Sequence, residues 1–257
     1  MPVSNPPAVQ LYSVREQLPA DRPGVLGRIA AAGYGAVEAF NVLSDTEGLR
    51  ADLDAAGLTV CGVHAVPSGA QAADVLAAAK TLGADTVIVP YLPPARFGTA
   101  DSVAGVASEL NEMAARVADA GLRFGYHNHD FELSSLIGGR PALEVLAESL
   151  DEGVLLEVDT YWAAVGGQDV PALLGRLGDR VRFLHVKDGP ITKDDPMTAV
   201  GAGRMPVAEI LAAAPSAQWH VVELDRCATD MLTAVEQSLR WLAERGLATP
   251  AHGGVAP

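Results

Sequence analysis

Cysteine is scarce in this chain of 257 residues: Cys61 and Cys227 are the only two, and they form no CxxC pair. Neither a disulfide framework nor a thiolate zinc site is therefore expected, and two reduced cysteines suit the cytosol. Basic side chains are the next shortage. Lys and Arg number 18 against 32 Asp and Glu, for a formal net charge of −14. Nucleic-acid and anionic-membrane binding depend on cations that neutralise phosphates, so neither partner is expected. No apolar run reaches the roughly 18 residues that read as a membrane span. Residues 1–7 hold no basic stretch ahead of an apolar one, so no signal peptide is read and a cytoplasmic protein is expected. Aromatics make up only 5% of the chain, no internal repeat is visible, and no Gly-rich phosphate loop follows the first strand candidate.

What the chain does have is alternation. Short runs of Val, Ile, Leu and aromatics, at 9–14, 36–40, 59–64, 86–91, 123–129, 154–160, 182–187 and 220–224, precede longer Ala/Leu-rich segments of helical spacing. Gly33, Gly57, Gly83 and Gly121 fit as helix stops. Eight strand–helix units in strict order imply parallel strands joined by right-handed crossovers, and about 250 residues is the usual length of the barrel that eight units close. The fold expected is a single-domain (β/α)8 TIM barrel over residues 1–247, with a small, Gly/Pro-rich, disordered tail at 248–257.

Parallel strands covered by helices should be almost wholly apolar, yet ionisable residues sit at the C-terminal end of one strand after another. Glu38 ends the second and His64 the third. His127, His129 and Glu132 end the fifth, Glu157 and Asp159 the sixth, His185 and Lys187 the seventh, and Glu223 and Asp225 the eighth. In a barrel these ends share the active-site face. Period-two spacing points Glu157 with Asp159, His185 with Lys187, and Glu223 with Asp225 to one side. A lone Asp at a strand end is more often a helix cap, and a lone His a packed core residue. Their joint occurrence at successive ends is what points to a site. Acids and imidazoles converging there would repel unless a divalent cation sat among them, and a mixed oxygen and nitrogen set suits Mn, Mg, Co or Zn. Glu157 and Asp225 read as orienting acceptors or as salt-bridge partners of Lys187 or Arg226. Arg204 with 201–203 offers the one stretch that could cradle a phosphate.

The motifs Gly125-Tyr-His-Asn-His-Asp-Phe-Glu132, Glu157-Val-Asp-Thr-Tyr-Trp162, Leu184-His-Val-Lys-Asp188 and Val222-Glu-Leu-Asp225 resemble the sugar phosphate isomerase/epimerase family. These are xylose isomerase-like barrels that include inosose dehydratases, hydroxypyruvate isomerases, ketose 3-epimerases and endonuclease IV. Weaker support comes from Gln10-Leu-Tyr-Ser-Val-Arg15, Gly33-Tyr-Gly-Ala-Val-Glu38 and Gly62-Val-His64. The resemblance spans essentially the whole chain. It implies one divalent metal held by Asp159, His185 and Glu223, with Glu132 as the fourth ligand and His127 or His129 as its substitute. The ketose epimerases carry a glutamate ligand near Tyr126 or His127, where this chain has no carboxylate.

The implied chemistry is proton transfer at a carbon beside a carbonyl of a small sugar or keto-sugar, through an enediolate. His127 or His129 serves as base, Lys187 contacts the substrate or its oxyanion, and Glu38, His64, Asn128 and Trp162 line the substrate. Dehydration or lyase action on a keto-inositol or oxidised glycoside is the runner-up. A non-catalytic sugar-binding barrel is the alternative of another class. Phosphodiester cleavage by a multi-zinc cluster fits neither the six histidines, one of them His252 in the tail, nor the charge. A homo-oligomer is compatible with all of this.

Overall fold

The computed structural model describes residues 6–251. Eight strands form a closed, all-parallel barrel: β1 (Ala8–Gln10), β2 (Ala36–Phe40), β3 (Thr59–His64), β4 (Thr86–Val89), β5 (Arg123–His127), β6 (Val154–Asp159), β7 (Val181–Val186) and β8 (Trp219–Val222). Each strand pairs with its neighbours in sequence, and β1 pairs with both β2 and β8 to close the ring. The outer layer is α1 (Leu18–Ala31), α2 (Thr46–Ala56), α3 (Ala72–Leu82), α4 (Ala100–Asp119), α5 (Ala142–Ser149), α6 (Val170–Leu177), α7 (Val207–Ala213) and α8 (Met231–Glu244). This is the (β/α)8 barrel that the alternation predicts. Gly57 and Gly83 end α2 and α3 with φ of 70° and 75°, a left-handed conformation that glycine adopts without steric cost. Among the described residues no helix is long and apolar enough to cross a membrane.

Burial follows strand parity. One large apolar cluster fills the space between sheet and helices. A second, small one, of Ala8, Ala36, Cys61, Ile88, Phe183 and Val221, plugs the barrel interior near the strands' N-terminal ends. Above this plug the inward side chains change character to Gln10, Glu38, Glu157 and His185, all buried. Gly62 lies opposite Glu38 in the β2–β3 register, and a Cβ there would stand 3.2 Å from Glu38 Oε1. A small residue in β3 thus makes room for a carboxylate inside the barrel.

Several strands stop sooner than their apolar runs suggest. β1 ends at Gln10, whose side-chain Oε1 accepts the Tyr12 N–H at 3.0 Å and turns the chain into a single 3-10 turn, Leu11–Val14. A buried 3-10 turn and a strand give the same short apolar run, so hydropathy does not separate them. β5 and β8 also stop early, which leaves His129, Glu223 and Asp225 on the loops just past the strand ends. Of the segment from Ala248 onward, Ala251 donates its N–H to Gly33 O at 2.9 Å. His252 lies outside the described residues.

Candidate active site

The strand-end residues meet at the C-terminal mouth. Asp159 of β6 is paired in register with His185 of β7, and His127 of β5 with Glu157 of β6. Asp159 also caps the short helix Thr160–Val165, its Oδ1 accepting the Trp162 N–H at 2.8 Å, which locks its rotamer. Asn128 braces the same strand end: its Oδ1 accepts the Asp159 N–H at 3.1 Å. Ligand-capable atoms of His127, Asp159, His185 and Glu223 lie within 4.8 Å of one another, and so do those of His64, His127, Glu157 and His185.

A single lysine answers much of the repulsion. Lys187, only 1% exposed, places Nζ 2.6 Å from Glu223 Oε2, 2.7 Å from Asp225 Oδ2 and 2.8 Å from Asp159 Oδ2. It hydrogen-bonds Asp225. Asp159 Oδ2 is close enough for an ion pair yet receives no hydrogen bond, and it is fully buried. The sequence argument that only a metal could hold these acids together is therefore corrected: the chain supplies one cation of its own. The expectation that Lys187 meets the substrate is revised too, since three carboxylates claim its ammonium and it is absent from the cavity wall.

Burial and charge set the protonation of the cluster. Burial disfavours charge on every member, and the ion partners decide which groups keep it. Burial opposes the charged form of Lys187, but Asp159, Asp225 and Glu223 raise it well above the ordinary lysine value. His185 is likewise raised well above its usual range, with Glu157, Glu223 and Glu38 outweighing burial. His64 is raised to about 10 by Glu38 and Glu157 against the same opposition. Glu157 and Glu223 are held well below the usual carboxylate range despite burial, by His185 with His64 and by Lys187 with His185 respectively. Burial lifts Asp159 to about 6 even with Lys187 beside it. His127 is pushed well below its normal value by burial, more than its hydrogen bond to Glu157 restores. His129 falls to about 4 through burial and the nearby Lys187 charge, so its imidazole is neutral at pH 7. Five carboxyl groups (Glu38, Glu157, Asp159, Glu223 and Asp225) thus gather around one ammonium and two imidazoles held protonated. Carboxyl groups outnumber these cations, and the buried Asp159 Oδ2 has Lys187 as its nearest cation, at 2.8 Å.

Glu132 is placed apart from this group. Its Oε1 accepts the Tyr126 O–H at 2.6 Å and its Oε2 accepts the His129 N–H at 2.9 Å. Tyr126 alternates with His127 on β5 and faces the helix layer, so the carboxylate that reaches it is drawn outward, behind the strand. Burial raises this acid to about 7. The fourth member of the group whose ligand-capable atoms converge is His127 instead. Glu38 is also displaced from its expected substrate role: it lies beneath the cavity, bonded to Gln10 and near His185 and His64. Asn128 and Trp162 are likewise absent from the cavity wall, and Trp162 packs its ring 5.7 Å from Lys187 Nζ. The phosphate cradle imagined at 201–203 is already occupied. Asp188 accepts the N–H groups of Gly189, Gly201, Gly203 and Met205 at 2.8–3.1 Å, so it ties down this loop.

A cavity of about 410 Å³ opens over the cluster. Its ionic wall is His64, His127, His129, Glu223 and Asp225, and its opposite wall is Tyr12, Phe40, Asn41, Pro90 and Tyr91. Asn41 adopts a left-handed φ of 50°, a conformation that asparagine tolerates better than most residues. The sequence reading assigned nothing to this second wall. Tyr91 ended a strand candidate, which was its only signal.

A family model described as the xylose isomerase-like TIM barrel matches residues 26–245. The chain belongs to this family. Two solved structures of sugar phosphate isomerase/epimerase proteins from Parabacteroides distasonis are similar in fold. One has a TM-score of 0.78 at 24% identity, covering 95% of each chain. The other has a TM-score of 0.82 at 20% identity, covering 96% of this chain and 100% of that one. The probable 3-DHS dehydratase of Bacillus anthracis follows with a TM-score of 0.73 at 12% identity, covering 94% and 100%. No curated protein matches in sequence. At these identities the solved structures speak to the fold, and the site must be read from its own residues.

Proposed function

We propose that the protein is a divalent-metal-dependent isomerase or epimerase of a small sugar or keto-sugar in the cytoplasm. The observation that carries this reading is the convergence of His127, Asp159, His185 and Glu223 within 4.8 Å, in a pocket where carboxyl groups outnumber cationic side chains. Two imidazoles and two carboxylates are a fitting donor set for Mn, Mg, Co or Zn. Glu223 lines the cavity and Glu157 does not, which favours this group over the one around Glu157 as the one whose carboxylates face a substrate. Bound there, a divalent ion supplies positive charge to a carbonyl and its neighbouring hydroxyl.

The chain's own residues do the rest. His129 lines the cavity with a neutral imidazole whose Nδ1 is buried and unbonded, and its ring is held by stacking on Phe131 and an edge contact with Tyr91. It takes the proton from the carbon beside the carbonyl, leaving an enediolate, and returns it to the former carbonyl carbon while the hydroxyl proton passes to the former carbonyl oxygen, for isomerisation. Reprotonation of the same carbon from its opposite face, by a second donor such as a water molecule, gives epimerisation. Lys187 keeps Asp159 and Glu223 ionised and in place.

The test is metal content together with solvent exchange. Asp159→Ala, His185→Ala and Glu223→Ala are each expected to lose the metal while the barrel remains folded. Deuterium from solvent is expected to enter the carbon beside the carbonyl of a turned-over keto-sugar. Stoichiometric metal in all three variants would overturn the ligand assignment. A wild-type protein that carries no metal and does not change melting temperature with Mn would favour a sugar-binding barrel without catalysis. Release of water or an alcohol from the substrate would move the assignment to a dehydratase or lyase.

A further inference from the structure

Beneath the cavity lie two buried acids, Glu38 and Glu157, that do not line it. Glu38 Oε2 accepts a hydrogen bond from Gln10 Nε2 at 2.7 Å and lies 2.8 Å from His185 Nε2. Glu157 Oε2 lies 3.0 Å from His127 Nδ1 and 3.2 Å from His185 Nε2. His64 Nε2 sits between the two acids, 2.6 Å from Glu157 Oε2 and 3.0 Å from Glu38 Oε2. Apart from these contacts the acids are sealed in the barrel, and each keeps a buried oxygen, Oε1, with no hydrogen bond. Burying two carboxylates side by side is costly unless the arrangement serves something.

An imidazole has two nitrogens, and in its neutral form one carries a proton while the other offers a lone pair. A carboxylate only accepts, so the nitrogen that faces it carries the proton. His185 faces a carboxylate at both nitrogens, Glu38 at Nε2 and Glu223 Oε2 at Nδ1, 2.6 Å away, so without an ion both carry protons; an ion held by Glu223 would take the Nδ1 lone pair, while Glu38 keeps the proton on Nε2. For His127 the roles are reversed. Its Nδ1 faces Glu157, and its Nε2, 3.9 Å from Asp159 Oδ2, is left free. Each acid thus turns one ring so that its other nitrogen points at the gap between Asp159 and Glu223.

We infer that Glu38 and Glu157 are positioning residues that fix the ring orientation and tautomer of His185 and His127 for binding a single divalent ion. This rests on the function proposed above. Gln10 steadies Glu38, Gly62 leaves it room, and His64 sits between the two acids within ion-pair distance of both. Buried acids that orient metal-binding imidazoles commonly account for about 10–100-fold in metal affinity.

The experiment is a Mn titration of the full-length metal-free protein, read by free-Mn electron paramagnetic resonance, on wild type, Glu38→Gln, Glu157→Gln and Gly62→Ala. Each variant's metal-free melting temperature is recorded, together with the proton NMR spectrum of the Co-loaded form. The expected result is one ion per chain throughout. Affinity should fall about 10–100-fold in the two Gln variants and less in Gly62→Ala, which crowds Glu38 without touching any residue that faces the ion. Melting temperatures should stay within a few degrees of wild type. Two shifted, exchangeable ring N–H signals, one per histidine, are expected in the Co form, and the His185 signal should weaken or move in Glu38→Gln. If either Gln variant fails to fold, Gly62→Ala and the wild-type N–H signals still decide the matter. Unchanged affinity in folded variants overturns this inference alone. Two ions in wild type, with one lost in Glu157→Gln, would make Glu157 a ligand and overturn it as well. A wild-type protein that binds no ion at all overturns both this inference and the function it rests on.

Discussion

Strands β1–β4 and β5–β8 end at the same mouth, yet they bring different chemistry to it. The first half presents Tyr12, Phe40, Asn41, Pro90 and Tyr91 to the cavity along with one imidazole, His64, and keeps Glu38 beneath the floor. The second half supplies His127, His129, Glu157, Asp159, His185, Lys187, Glu223 and Asp225. Tyr12 and Tyr91 are among the few large apolar side chains left exposed, and Tyr12 makes an edge contact with Phe40 at 5.4 Å. A sugar has polar edges and apolar C–H faces. One wall therefore suits the reacting oxygens and the other suits the ring's flat face. The division shows that a barrel can place most of its charge on one arc, where the charges can neutralise one another, and give the opposite arc mainly to shape.

The division can be broken most sharply at His129. His129→Gln is expected to slow proton exchange at the substrate's carbon by about 10²–10⁴-fold while metal content is unchanged. Exchange at the wild-type rate would move the base elsewhere on the ionic arc. The next effect concerns stability. Lys187→Met leaves Asp159, Glu223 and Asp225 without their shared ammonium, and removing one partner of a buried ion cluster costs about 3–5 kcal/mol. Denaturant unfolding of the metal-free variant measures the loss, and saturating Mn should restore part of it, because a ligand of the native state stabilises that state. Unchanged stability without metal would show that the lysine is not the internal counter-charge.

Glu132 tests the back of the same arc. Its folded value of about 7 lies above the ordinary 4.5. The stability it contributes is therefore present below pH 4.5 and is lost as pH rises through 7. Glu132→Gln stays neutral throughout, so thermal melts at pH 5 and pH 8 should show the variant gaining on wild type as pH increases. A flat difference would mean that the carboxyl is not held protonated. The smallest effects belong to the apolar arc. Tyr91→Ala and Tyr12→Ala should each raise KM several-fold, about 0.5–1.5 kcal/mol for a lost ring contact, and leave kcat unchanged. A fall in kcat instead would place those rings in the chemistry and erase the contrast between the two arcs.

Much of this molecule was legible beforehand because its signals are local. Helix stops such as Gly57 and Gly83 report a backbone conformation that few other residues take. The inward pairing of Glu157 with Asp159 and of His185 with Lys187 follows from the pleat alone. What failed was depth and side. Glu132 shares a motif with His127 and His129, but one extra turn of chain carries it behind the strand, where Tyr126 captures it. Glu38 reads as a rim residue and lies under the floor, because β2 enters the barrel at a height that only its register with Gln10 and Gly62 reveals.

The order of strands and helices, the closure of eight units and the gathering of acids and imidazoles at one end were determined by the sequence itself. Each depends on periodicity, turn chemistry and the direction of parallel strands. Only the tertiary structure decided that Lys187 sits among three carboxylates, that His127 completes the cavity-facing group, and which nitrogen each buried imidazole turns toward it. Those outcomes depend on distances between strands far apart in the chain. Such distances are set when the barrel closes and fixes every strand's tilt and height at once, and no stretch of sequence encodes that by itself.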